Sequence, residues 1–94
     1  GSIEIANLII NPEKYQVFLE GSIVEMPRKE FELLHLLASK PGKVWSRDSI
    51  MDRVWGTEVI VGGRTIDVHI RKIREKIGQD CIKTIKGVGY KFEE

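Results

Sequence analysis

Apolar residues change their spacing twice along this chain. Between residues 3 and 26 they fall in short runs rich in β-branched and aromatic side chains, "IEIANLII", "YQVFL" and "IVEM", parted by Asn11-Pro12 and Glu20-Gly21. Runs of this kind between turn-forming pairs predict strands, and the short connections predict antiparallel neighbours in a small meander. From residue 27 the spacing turns helical. In "PRKEFELLHLLASKPG" Phe31, Leu34, Leu37 and Ala38 share a face that Leu33 and Leu36 widen. Pro27 suits a first helical position, Glu30 and Glu32 suit the positive end of the helix dipole, and Lys40 with Pro41-Gly42 closes the element.

"KVW" reads as a short strand. Ser46 then caps a second helix that carries Asp48 in its first turn, Ile50, Met51, Val54 and Trp55 as an inward stripe, and Gly56 just past its end. After "TEVIVGG" a third helix begins at Arg64. Beyond Gly78, "IKTIK" and "YKFE" flank Gly87-Val88-Gly89 and predict a closing hairpin. Gly87 and Gly89 permit a tight tip and close backbone approach. This order predicts the α+β class: antiparallel strands, three helices and a C-terminal β-hairpin, that is, a helix-turn-helix with a wing.

The third helix is the informative one. At 100° per residue with Ile66 at zero, Ile70, Ile73 and Ile77 fall within about 40° of it and form a buried seam. Arg64, Val68, Arg71 and Glu75 lie opposite. Thr65, His69, Lys72 and Lys76 take one flank, Asp67 and Arg74 the other. Donors with one small apolar group suit the major groove of duplex DNA, where Arg or Lys reaches guanine O6 and N7 and a Val or Thr methyl meets the thymine methyl. Val68 has little other reason to sit at the centre of a solvated face. The plainer alternative is a helix kept soluble by its charges, with an Asp67–Arg71 pair four residues apart.

Charge favours the polyanion. Net charge is +1, yet residues 1–63 hold seven Lys/Arg against nine Asp/Glu, whereas residues 64–91 hold eight against three. In the hairpin Lys83, Lys86 and Lys91 interleave with Ile82, Ile85 and Phe92, so cations face out and apolar groups in. A narrow cationic tip fits the minor groove. Tyr90 is either a hydroxyl donor to phosphate or core.

Composition narrows the rest. Ninety-four residues, 41% of them apolar and 31% charged, suit one folded domain over 3–94, with Gly1-Ser2 read as a tag remnant. No apolar run is long enough to cross a bilayer, so no membrane partner is expected. One cysteine, Cys81, forms no intrachain disulfide and suits a reducing, cytoplasmic setting; it reads as an inert half-buried thiol. His35 and His69 lie on different helices, no Cys/His/Asp spacing suggests a metal, and two glycines make no nucleotide loop; neither an enzyme nor a cofactor is expected. The rival reading is a winged helix that docks an acidic protein. RNA is disfavoured because its deep, narrow major groove excludes a helix.

"RTIDVHIRKIREKIG" followed by "IKTIKGVGYKF" resembles the recognition helix and wing of the OmpR/PhoB family, winged-helix output domains of bacterial two-component response regulators. "KEFELLHLL", "GKVWSRDSIMDRVWG" and the opening strands match in order, so the likeness spans nearly the whole chain. It implies an N-terminal four-stranded antiparallel sheet against three helices, the third in the major groove and the wing at the minor groove. Carried over by motif position, Arg64, Thr65, His69, Arg71, Lys72, Arg74, Thr84, Lys86 and Tyr90 become candidates for DNA contact, beside Val68 from the helix reading. Trp55 is either core or a phosphate contact. The segment after the second helix, with Thr57, Glu58, Val59, Ile60 and Val61, corresponds to a loop that engages RNA polymerase in some members. Val59, Ile60 and Val61 read first as packing on the core and second as a partner surface. The family further implies a phosphorylated receiver domain, a sensor histidine kinase, tandem half-sites on DNA, and an isolated domain that is a monomer or weak dimer. Pro27 replaces a common Thr cap. Lys72 and Lys86 stand where many relatives carry Arg, giving a point charge without the bidentate fork.

Overall fold

A computed structural model describes residues 1–56 and 64–94. Four short strands, β1 (Ile3–Ile5), β2 (Leu8–Asn11), β3 (Gln16–Leu19) and β4 (Ser22–Val24), form an antiparallel sheet in sequence order. The run "IEIANLII" is thus two strands rather than one. Ala6, at φ 53°, turns the chain so that Ile5 pairs with Leu8, and nothing in the apolar pattern marked that break. At the next turn Asn11 Oδ1 accepts from the backbone N–H groups of Glu13 and Lys14, which fixes the Asn-Pro corner.

Helix α1 (Arg28–Ser39) starts one residue later than the proline suggested, with Pro27 in the cap position and its carbonyl accepting from Phe31 N–H. β5 (Trp45–Ser46) leads into α2 (Arg47–Ile50), whose Ser46 hydroxyl accepts from Ser49 N–H at 3.1 Å as expected of that cap. The second helix does not continue as α. Met51–Trp55 is π-wound, and Gly56 N–H closes it by bonding Met51 O, five residues back. Lys29 reaches across from α1 to bond the Val54 carbonyl at 2.8 Å, satisfying an acceptor at the helix end. Helix α3 (Arg64–Ile77) follows, then β6 (Ile82–Ile85) and β7 (Gly89–Phe92), which with β5 make a second sheet in the order β5-β7-β6.

One continuous apolar cluster joins these layers. Ile5, Leu8, Ile10 and Val17 come from the first sheet, Phe31, Leu33, Leu34, Leu37 and Ala38 from α1, and Ile50 and Val54 from the second helix. Trp45, Tyr90 and Phe92 close it from the second sheet. Ile66, Ile70, Ile73 and Ile77 are all at most 7% exposed, so the isoleucine seam is anchored inside and the rest of α3 is turned outward. The observed fold is the winged helix-turn-helix that the element order predicted.

Candidate nucleic-acid interface

Opposite the buried seam, α3 presents Arg64, Val68, Arg71, Lys72 and Glu75 to solvent, while Thr65, His69 and Arg74 are half-buried. Val68 is 40% exposed amid the cations. Among the described residues Arg64, Arg71, Lys72 and Lys86 form no ion pair. The Asp67–Arg71 pair suggested by spacing is absent. Asp67 bonds elsewhere, and Arg71 is left facing water.

Asp67 instead joins three elements. Its Oδ1 accepts from Arg47 Nε at 3.3 Å and Nη2 at 3.0 Å, and from the Tyr90 hydroxyl of β7. Tyr90 is 4% exposed, and its hydroxyl donates to Asp67 across the gap between β7 and α3. Arg74 likewise bonds within the fold. Its Nε and Nη2 bond the Ile82 carbonyl at 3.2 and 2.8 Å, and Nη2 also bonds Thr84 Oγ1 at 2.9 Å, so the guanidinium spans α3 and β6. Arg47 and Arg74 both lie over the Tyr90 ring, at 5.5 and 5.7 Å from its centroid.

These contacts shift protonation in a consistent sense. The Tyr90 hydroxyl, with help from Arg47, outweighs desolvation and holds the Asp67 carboxyl below the ordinary aspartate value of 3.8. Burial, then the hydrogen bond to Asp67, pushes the Tyr90 phenol up. A lowered carboxylate contributes stability that is present above its unfolded value and lost as pH falls through its folded one. The urea midpoints of the parent and Asp67→Asn are therefore expected to differ steadily above about pH 5 and to converge in strong acid. A gap that stays constant from pH 5 to pH 2 would contradict this assignment.

His69 Nδ1 lies 2.8 Å from the Thr65 carbonyl, which only accepts, so Nδ1 carries the proton and Nε2 is the outer nitrogen. The imidazole meets the Trp55 ring edge-on at 5.1 Å. Trp55 itself is half-buried on the core and braces the flank of α3. At the wing, Lys86 and Thr84 are exposed and Gly87, at φ 78°, makes the tip. Lys76, on the same flank as His69, turns inward to Glu30 at 2.6 Å. Thr57, Glu58, Val59, Ile60 and Val61 lie outside the described residues.

Two residues with evident roles here escaped sequence reasoning. Arg47 drew no role from its position, and Glu30 only a place at the positive end of the helix dipole, whereas Glu30 is buried. In each case the partner lies on another helix, and no local spacing signals it. Cys81 is half-buried, and burial pushes its thiol up, away from reactivity. Among the described residues no group of three or more His, Cys, Asp or Glu is placed to hold a metal, and no helix is long and apolar enough to cross a membrane.

The signature of the family described as "Transcriptional regulatory protein, C terminal" matches residues 21–92. The phosphate regulon transcriptional regulatory protein PhoB of Klebsiella pneumoniae is 39% identical over 94 residues, covering 96% of this chain and 41% of that protein. The response regulator DrrB of Thermotoga maritima, an OmpR/PhoB homologue, superposes with a TM-score of 0.92 at 37% identity, over 100% of this chain and 45% of that one. The DNA-binding domain of Klebsiella pneumoniae RstA, solved in complex with the RstA box, superposes at 0.87 with 31% identity over 98% of this chain and 96% of that one. The chain thus spans less than half the length of the two longer relatives. On signature, identity and fold together, it belongs to the OmpR/PhoB family of C-terminal transcriptional regulatory domains, the effector domains of response regulators.

Proposed function

We propose that residues 3–94 act as one sequence-specific duplex-DNA-binding domain, a non-enzymatic module that regulates transcription from the cytoplasm. The carrying observation is the outward face of α3, where Arg64, Arg71 and Lys72 surround the exposed Val68 directly opposite a fully anchored apolar seam. That face fits the major groove. Arg71 and Lys72 would donate to base edges, Val68 would meet a thymine methyl, and Arg64, Thr65 and His69 would line the phosphate walls. Lys86, at the tip of the wing, would enter the minor groove, with Thr84 beside it. Trp55 contributes by bracing His69. Kinship to the RstA DNA-binding domain, solved in complex with the RstA box, supports DNA as the target. The whole protein would add a receiver domain phosphorylated by a sensor histidine kinase and would pair on tandem half-sites, the isolated domain being a monomer or weak dimer. The segment holding Thr57, Glu58, Val59, Ile60 and Val61 would address RNA polymerase.

Selection of random duplexes against the domain should enrich a defined motif. On that duplex, Arg71→Ala and Lys72→Ala should each cost about 1–3 kcal/mol of discrimination. The logarithm of affinity should fall with the logarithm of salt by about 0.9 per phosphate neutralised. A protein partner predicts a shallower dependence and no duplex preference. Unchanged binding by both variants would remove α3 from the groove.

A further inference from the structure

The two DNA-reading parts of the proposed interface, the outer face of α3 and the Lys86 tip, sit on separate elements joined through residues 78–81. Both must reach adjacent grooves at once, so their spacing has to be held. A hairpin with four-residue strands has little stiffness of its own. Here it is tied to the helices at three points. The Tyr90 hydroxyl of β7 donates to Asp67 of α3, Arg74 of α3 donates to the Ile82 carbonyl and Thr84 Oγ1 of β6, and Arg47 N–H of α2 approaches the Val88 carbonyl beside the tip at 3.4 Å. The Arg47 side chain meanwhile grips the same Asp67 oxygen that Tyr90 uses. One carboxylate oxygen thus ties the start of α2, the first turn of α3 and the central strand of the wing sheet.

We propose that Asp67, Tyr90 and Arg47 are positioning residues: their shared bond sets the wing against α3 so that Lys86 meets the minor groove while α3 occupies the major groove. This rests on the DNA-binding reading above. It makes Tyr90 a setter of wing position, and it makes the contribution of Lys86 conditional on a hydroxyl located on the neighbouring strand.

The test is a set of affinity measurements on the selected duplex, crossing Lys86→Ala with Tyr90→Phe and with Asp67→Ala. Tyr90→Phe removes one hydroxyl and no charge, and near-ultraviolet dichroism checks that the wing sheet is retained. In the parent, Lys86→Ala should weaken binding about tenfold, the size of one direct contact. In Tyr90→Phe the same change should cost less than about threefold, and the protection of the flanking minor groove should already be lost. Arg71→Ala should cost as much in Tyr90→Phe as in the parent. If Lys86→Ala costs the same in both backgrounds, the two residues act independently, as they would if Tyr90 merely touched a phosphate, and the proposal is overturned. Should Tyr90→Phe fail to fold, the same comparison in Asp67→Ala decides it. A parent domain that binds no duplex at all would instead refute the functional reading.

Discussion

Gly89→Ala is expected to detach the wing sheet and lower stability by about 3 kcal/mol, at the upper end of overpacking effects. For a chain of this size that corresponds to about 15 °C in the melting midpoint. A Cβ at Gly89 would lie 1.9 Å from the Trp45 carbonyl oxygen and 2.9 Å from its carbon, and both are backbone atoms with no rotamer to yield. The clash falls on the register that pairs Ser46 with Gly89 and Trp45 with Tyr90, so β5 must leave β7. Trp45 would move with it, away from Lys43 and Arg53, which flank its ring. Gly87 is the internal control. Its φ of 78° strains any side chain, but open space surrounds it, so Gly87→Ala should cost only about 1–2 kcal/mol. Thermal melts of the two variants settle the matter. If Gly89→Ala melts no lower than Gly87→Ala, the β5–β7 register is wrong.

The contrast between these two glycines also marks what could be read in advance. Sequence reasoning gave both the same role, a tight tip with room for close approach, because a glycine looks alike whether it is needed for φ or for space. Where a residue's role depends on period, the chain is legible. The α3 seam follows from 100° steps, and the Ser46 cap and Gly56 stop follow from local backbone chemistry. Roles set by partners far along the chain are not legible. Asp67 was matched to Arg71 because four residues separate them, yet its partners come from positions 47 and 90. The π-winding of Met51–Trp55 was equally hidden, since an inward stripe at 50, 51, 54 and 55 looks the same for either winding over so short a span. The exposed cations that carry the proposed interface are legible because, among the described residues, none of them forms an ion pair.

Glu30 gives the clearest case of a distant partner and the second large expected effect. Its side chain is 4% exposed in the first turn of α1, and Lys76, 32% exposed in the last turn of α3, meets it at 2.6 Å. Lys76→Ala should cost about 3 kcal/mol. It strands a buried carboxylate, and the figure sits at the low end for broken buried pairs because water can enter through the half-open lysine site. The double variant Glu30→Leu/Lys76→Met removes both charges and keeps comparable bulk, so most of the loss should return. Urea denaturation of the parent, the single and the double variants measures this directly. A double variant as unstable as Lys76→Ala would mean that packing, not the stranded charge, sets the cost. A single variant within about 0.5 kcal/mol of the parent would mean that the pair contributes no more than an exposed one. The pair also bears on the interface. It ties the C-terminal turn of α3 to α1, while Asp67 and Arg74 tie the helix to the wing sheet, so α3 is held at both ends with its cationic face outward. Losing Lys76 should therefore weaken DNA binding across all duplexes alike, leaving the preferred sequence unchanged, whereas Arg71→Ala should relax the preference itself.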